Sequence, residues 1–163
     1  MSRTFEVIEG GVTPSVQARA VRLLAQREHS RQALQDKLRT EGVAPEAVTD
    51  ALDRLQARGL VNDARVAETL VNRRASKWGA ARLRQDLQAK GVSPEVVADT
   101  MVELKATELA RAQGVWARKF GQRAPDAVTR QRQARFLTSR GFSAEVVRQV
   151  VAGLADALDD DAS

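Results

Sequence analysis

DARVAETLVNRRASKWGAARLRQDLQAKGVSPEVVADTMVEL, residues 63–104, decides the fold. It predicts three short helices with their own punctuation. Asp63 is placed to cap the first helix, and Trp78-Gly79 breaks it. The second helix ends at Gly91. Ser93-Pro94-Glu95 then opens the third with a capping serine, a proline at the first helical position and an acid at the positive end of the helix dipole.

The same grammar stands on both sides. Upstream, Ser15 opens a helix over VQARAVRLLAQREH, with Val21, Leu24 and Ala25 on one side. Ser30 caps a second helix, with Leu34 and Leu38 four apart, that closes at Gly42. A third starts at Pro45-Glu46, carries Val48, Leu52 and Leu55 at core spacing, and stops at Gly59. Downstream, a helix from about Glu108 to Phe120 precedes an extra loop, Gly121 to Pro125.

Gly42, Gly91 and Gly141, the glycines after each second helix, lie 49 and 50 residues apart and bring the three copies into register. Four residues before each is a leucine (Leu38, Leu87, Leu137), and one after is an apolar group (Val43, Val92, Phe142). Four after is a glutamate (Glu46, Glu95, Glu145), six after a valine (Val48, Val97, Val147) and thirteen after a leucine (Leu55, Leu104, Leu154). Twelve before stands a residue suited to a cap, Ser30, Gly79 or Thr129. A leucine under the ending turn, a left-handed glycine and an acid in the next first turn form one supersecondary unit, repeated. The predicted class is therefore all-α, a tandem array of three three-helix repeats forming an elongated, curved helical solenoid. Residues 1–14 read as a flexible N-terminal arm, 15–60, 61–105 and 106–156 as the repeats, and 157–163 as an acidic disordered tail. Phe5, Val7 and Ile8 in the arm offer a short strand pattern, the lesser of its two readings.

Composition narrows the function. The 163 residues contain no cysteine, so disulfides and thiolate metal sites are excluded. No apolar run approaches a membrane span, and residues 1–15 lack a signal peptide's apolar centre. A soluble cytoplasmic protein is expected. A lone histidine, His29, reads as an exposed residue at a helix junction and makes no metal site without a second one. No serine has a recognisable base, and the Asp159–Asp161 cluster sits in a frayed tail. No cofactor, metal or catalytic group is expected.

Three stretches, ARAVRLLAQREHSRQALQDKL (18–38), LDRLQARGLVNDARVAETLV (52–71) and GAARLRQDLQAKGV (79–92), resemble the RecX family of bacterial modulators of the RecA recombinase. The resemblance covers about 16 to 155. It implies a non-catalytic protein that binds in the groove of the RecA–single-stranded DNA filament and limits strand exchange, ATP hydrolysis and coprotease activity. It thereby bears on DNA repair, homologous recombination and the SOS response. Family members often carry an aromatic where this chain has Val66.

The formal charge is +5, unevenly spread. From Ala64 to Lys90 seven Lys/Arg face two acids, and from Arg111 to Arg148 nine face two, whereas Gly91 to Ala110 has Lys105 alone against four acids. The bland reading is solvated helix faces with i, i+4 ion pairs. Few acids stand at that spacing around Arg73, Arg74 and Lys77 or Arg130, Arg132 and Arg135, so a polyanion is the simpler account. The candidate contact comprises Arg73, Arg74, Lys77, Arg82, Arg84 and Lys90, extended by Arg118, Lys119, Arg130, Arg132 and Arg135. Trp78 and Trp116 read as core rather than stacking residues. The expected partners are the RecA filament and single-stranded DNA, with duplex DNA weaker, and the chain is expected to be a monomer away from membranes. Two other readings are a helix-turn-helix regulator of duplex DNA and a protein-only adaptor. The first wants a base-reading set that no second helix displays, and the 49-residue period fits no tetratricopeptide unit.

Overall fold

The computed structural model describes the backbone of residues 5–8 and 11–159 and the side-chain surroundings of residues 14–152. Two strands, β1 (Phe5–Ile8) and β2 (Gly11–Pro14), pair antiparallel with Phe5 opposite Pro14 and Ile8 opposite Gly11. The flexible arm is thus corrected to a hairpin over these segments. The Phe5-Glu6-Val7 alternation outweighs the Thr13-Pro14 and Gly10-Gly11 breaker signals.

Eight helices follow among the described residues: α1 (Val16–Gln26), α2 (Arg31–Thr40), α3 (Pro45–Ala57), α4 (Asp63–Arg74), α5 (Ala80–Ala89), α6 (Pro94–Lys119), α7 (Ala127–Ser139) and α8 (Ala144–Asp159). Ser15 and Ser30 cap α1 and α2, accepting from Ala18 and Ala33 backbone N–H groups at 3.2 and 3.1 Å. The three aligning glycines take φ of +84°, +76° and +87°, the left-handed turn that ends each second helix. Leu38, Leu87 and Leu137 are fully buried, and Val48, Val97 and Val147 are buried with them.

Four local expectations are corrected. Ala20, rather than the Val21–Ala25 side, is the buried position of α1, with Val16, Leu23 and Leu24 partly buried against the same core. The cap of α7 is Asp126, whose carboxylate accepts from Thr129 N–H at 2.7 Å; Thr129 lies inside the helix because Asp126 offers an earlier and stronger cap. Asp63 does not cap α4, since Asn62 Oδ1 takes the Arg65 N–H at 3.1 Å. Residues 157–159 belong to α8, while 160–163 of the proposed tail lie outside the described residues.

The largest departure is α6, one helix of 26 residues across the 105/106 boundary. Gly59, seventeen residues after Gly42, ends α3 with φ +74°. Seventeen after Gly91 stands Glu108 instead, so nothing stops the helix there.

Two compact units partition the chain. One is Met1–Ala67 with Gln88–Val96, and the other is Glu68–Leu87 with Val97–Ser163. The first holds a core of Ala20, Leu34, Leu38, Val48, Leu52, Leu55 and Val61. In the second, Ala112, Val115, Trp116, Leu137, Phe142, Val147 and Val150 pack together. Trp116 is core, as its sequence reading holds: its Nε1–H donates to buried Gln133 Oε1 at 3.0 Å, and Gln133 donates in turn to the Gln122 carbonyl at 3.1 Å.

Candidate nucleic-acid interface

Helix α4 ends at Arg74, and the three residues after it turn toward α5. The carbonyls of this connection need donors. Arg111 of α6 supplies them, donating to the Ala75 carbonyl at 3.1 Å and the Trp78 carbonyl at 2.7 Å, and to Leu104 in its own helix at 2.7 Å. Burial lowers the Arg111 pKa, and the neighbouring Glu108 carboxylate opposes the shift. Arg111 is therefore a structural clamp. Arg118 likewise donates to the Ser76 carbonyl.

The turn presents Trp78, half-buried, with three guanidiniums on its ring. Arg140 lies 4.7 Å, Arg82 4.9 Å and Arg74 5.3 Å from the ring centroid. Each cation–π contact is worth about 0.5–2 kcal/mol, more as water is excluded. Trp78 is thus neither deep core nor an open stacking platform: a base would have to displace an arginine. Arg74 and Arg82 share one carboxylate, Asp86, at 2.6 and 3.5 Å. The Arg74 contact is an ion pair off the hydrogen-bond direction, which leaves Asp86 Oδ2 without an aligned donor. These two predicted site residues are pinned within the protein, against the expectation that the cluster lacks paired acids. For Arg74 the acid sits on the next helix, where i, i+4 counting along α4 does not look, whereas for Arg82 it stands i, i+4 on the same helix.

Arg73, Lys77 and Arg84 are exposed and form no ion pair among the described residues, and the same is true of Arg130 and Arg135. Arg132 is exposed near Asp126, whose pKa its charge helps lower, after hydrogen bonds from Thr129. At about 100° per residue, Arg130 points well away from Arg132 and Arg135, and Arg84 points away from Arg82. One shared face for every predicted arginine does not follow. Lys119 stands over the Phe136 ring at 5.3 Å, and Phe136 meets Phe120 edge-on at 5.4 Å. Lys90 is exposed in the other compact unit, and its carbonyl accepts the Ser30 hydroxyl proton.

Sequence reasoning passed over Arg140 as a contact. Its side chain also lies over Phe136, at 5.1 Å. The signal available was its post one residue before Gly141, matching Lys90 before Gly91.

His29 is corrected from exposed to buried, at 6% exposure, with Nε2 unpartnered. Ser30 must turn inward to cap α2 and reach Lys90, and that draws its neighbour in. Among the described residues no group of three or more His, Asp or Glu could hold a metal, and no helix is long and apolar enough to cross a membrane.

Three-helix units in series, bearing exposed cations, define a helical repeat protein. Family comparison makes the class specific. The models described as RecX first, second and third three-helix domains match residues 18–55, 62–101 and 106–151 in that order. The chain is 47% identical over 137 residues to the regulatory protein RecX of Leptothrix cholodnii, covering 84% of this chain and 87% of that one. To the regulatory protein RecX of Ralstonia nicotianae it is 41% identical over 147 residues, covering 90% and 92%. A crystal structure of RecX from Lactobacillus salivarius superposes with a TM-score of 0.74 over 86% of this chain and 94% of that one, at 17% identity, a likeness of fold. The chain belongs to the RecX family.

Proposed function

We propose that this protein is a non-catalytic regulator that binds the RecA–single-stranded DNA filament and lowers its strand exchange, ATP hydrolysis and coprotease activity. It acts in this way on DNA repair and the SOS response. The observation that carries the reading is membership of the RecX family through all three repeats. The exposed cations Arg73, Lys77, Arg84, Arg130 and Arg135, which form no ion pair among the described residues, support the nucleic-acid part. Such groups contact phosphates without reading bases, which suits a partner of any sequence. Linked repeats add weak contacts into a firm one.

The test is fluorescence anisotropy of a labelled oligothymidylate, bare and coated with the host's RecA in the presence of a non-hydrolysable nucleotide. Saturable binding of the full chain to the coated strand, weakened steeply by salt, is the expected result. Equal affinity for an unrelated acidic protein and none for the filament would overturn it.

A further inference from the structure

Arg140 differs from every other arginine around Trp78. Arg74 and Arg82 are held by Asp86, and Arg111 and Arg118 spend their donors on backbone carbonyls. The Arg140 guanidinium makes no hydrogen bond or ion pair among the described residues. Yet it is firmly positioned. Its Cζ lies 4.7 Å from the Trp78 ring centroid and 5.1 Å from that of Phe136, and its own carbonyl accepts the Gly79 N–H at 2.7 Å. Lys119 stands over the same Phe136. Two cations thus converge on one ring, and neither forms an ion pair among the described residues.

An arginine held in place with its donors unspent is prepared for a planar, doubly bonded oxyanion. Little side-chain entropy remains to be lost on binding. We infer that Arg140, with Lys119 beside it over Phe136, is the principal phosphodiester-contacting site of this chain, engaging the backbone of single-stranded nucleic acid rather than its bases. The inference rests on the nucleic-acid binding proposed above and adds the residues and the mode. Base stacking is disfavoured because the Trp78 ring is already crowded by three guanidiniums. Lys90 occupies the equivalent post before Gly91, so a cation precedes the turning glycine in the second and third repeats, where the first has Glu41.

The experiment measures oligothymidylate affinity across a salt series for the full chain, Arg140→Ala and Arg140→Lys, with thermal melting of each. Arg140→Ala is expected to bind roughly tenfold more weakly, as for loss of hydrogen bonds to a charged group. Its log–log salt slope should be shallower by about 0.7, one single-strand phosphate contact. Arg140→Lys should bind several-fold more weakly yet keep the slope, since it retains the charge and loses the fork. Should Arg140→Ala melt early, the lysine variant decides. In the unmodified chain, tryptophan emission should change on adding the oligonucleotide at concentrations where inorganic phosphate has no effect. A response to inorganic phosphate alone would make this a free-anion site and overturn the proposal. Unaltered affinity and slope in both variants, with the unmodified chain still binding, overturn this site and leave the proposed function standing. A parent chain that binds no single strand overturns both.

Discussion

Asp63 and Glu108 hold the same post at successive repeat junctions. Asp63 Oδ1 accepts the Arg31 N–H that opens α2, and Oδ2 accepts the Ser93 N–H at the start of α6, both at 2.9 Å. Glu108 Oε1 accepts the Ala80 N–H that opens α5 at 3.1 Å and the Ser143 N–H before α8 at 3.3 Å. In each case one carboxylate on the linking helix satisfies a helix start in the preceding repeat and one in its own. Both helix dipoles favour the negative charge. Other bonds repeat too: Ser30 Oγ–H reaches the Lys90 carbonyl, and at the next junction Gly79 N–H reaches that of Arg140.

Replacing either acid with alanine strands two backbone donors. Glu108 is 5% exposed, so Glu108→Ala should cost about 3 kcal/mol in urea unfolding, and the less buried Asp63→Ala about 2 kcal/mol. Glu108→Gln, which keeps an acceptor oxygen, should recover about half of the loss. Equal stability of Glu108→Ala and the unmodified chain would show that the N–H groups find other partners.

Gly42 and Gly141 share a positive φ, but their surroundings differ. A Cβ at Gly42 would meet nothing within 4 Å, whereas at Gly141 it would lie 2.6 Å from Arg82 Cβ and 2.8 Å from Arg82 N. Gly42→Ala should cost about 1 kcal/mol, the left-handed strain alone. Gly141→Ala should lose at least twice that in thermal or urea unfolding, since α5 would have to retreat.

Asp86 pairs with both Arg74 and Arg82. Asp86→Asn should free both, tightening oligothymidylate binding by roughly threefold at low salt, with little gain at 0.5 M. Arg73→Glu should weaken binding and leave the melting temperature unchanged, because Arg73 is exposed and makes no ion pair among the described residues. Arg74→Glu should lower both, since it sets a second carboxylate beside Asp86. Affinity and melting temperature measured side by side separate the three variants.

Burial lowers the His29 pKa below its ordinary 6.5, and the Arg27, Lys37 and Lys90 charges add to the shift, against a backbone hydrogen bond with Leu23. The folded state therefore resists the proton that the unfolded chain accepts. Stability from this residue is fully present above 6.5 and is lost as pH falls through the folded value. His29→Gln should flatten the fall in unfolding free energy between pH 7.5 and pH 5.5, whatever it does to the value at neutral pH.

Much of this fold was legible because its signals are local. A left-handed glycine, a buried leucine four residues earlier and an acid in the next first turn each follow from nearby residues, and the three copies corroborate one another. What escaped depends on distant partners. Asp63 looks like a cap for α4, yet its oxygens serve α2 and α6, 32 and 30 residues away. The fusion of two helices in α6 was readable, had Glu108 been set against Gly59. The basic composition was plain, but sorting structural arginines from available ones needed Asp86, Trp78 and the carbonyls of the α4–α5 connection in place. Arg111 and Arg140 look alike in the sequence, yet the first spends its donors on carbonyls and the second makes no side-chain hydrogen bond among the described residues.

The central claim is most directly tested by single-strand-dependent ATP hydrolysis by the host's RecA, measured as this protein is titrated in. Hydrolysis should fall to a low plateau at protein concentrations well below those needed to coat the bare strand. A rate unchanged at protein equimolar with RecA, under salt conditions where the chain binds the filament, would contradict the account.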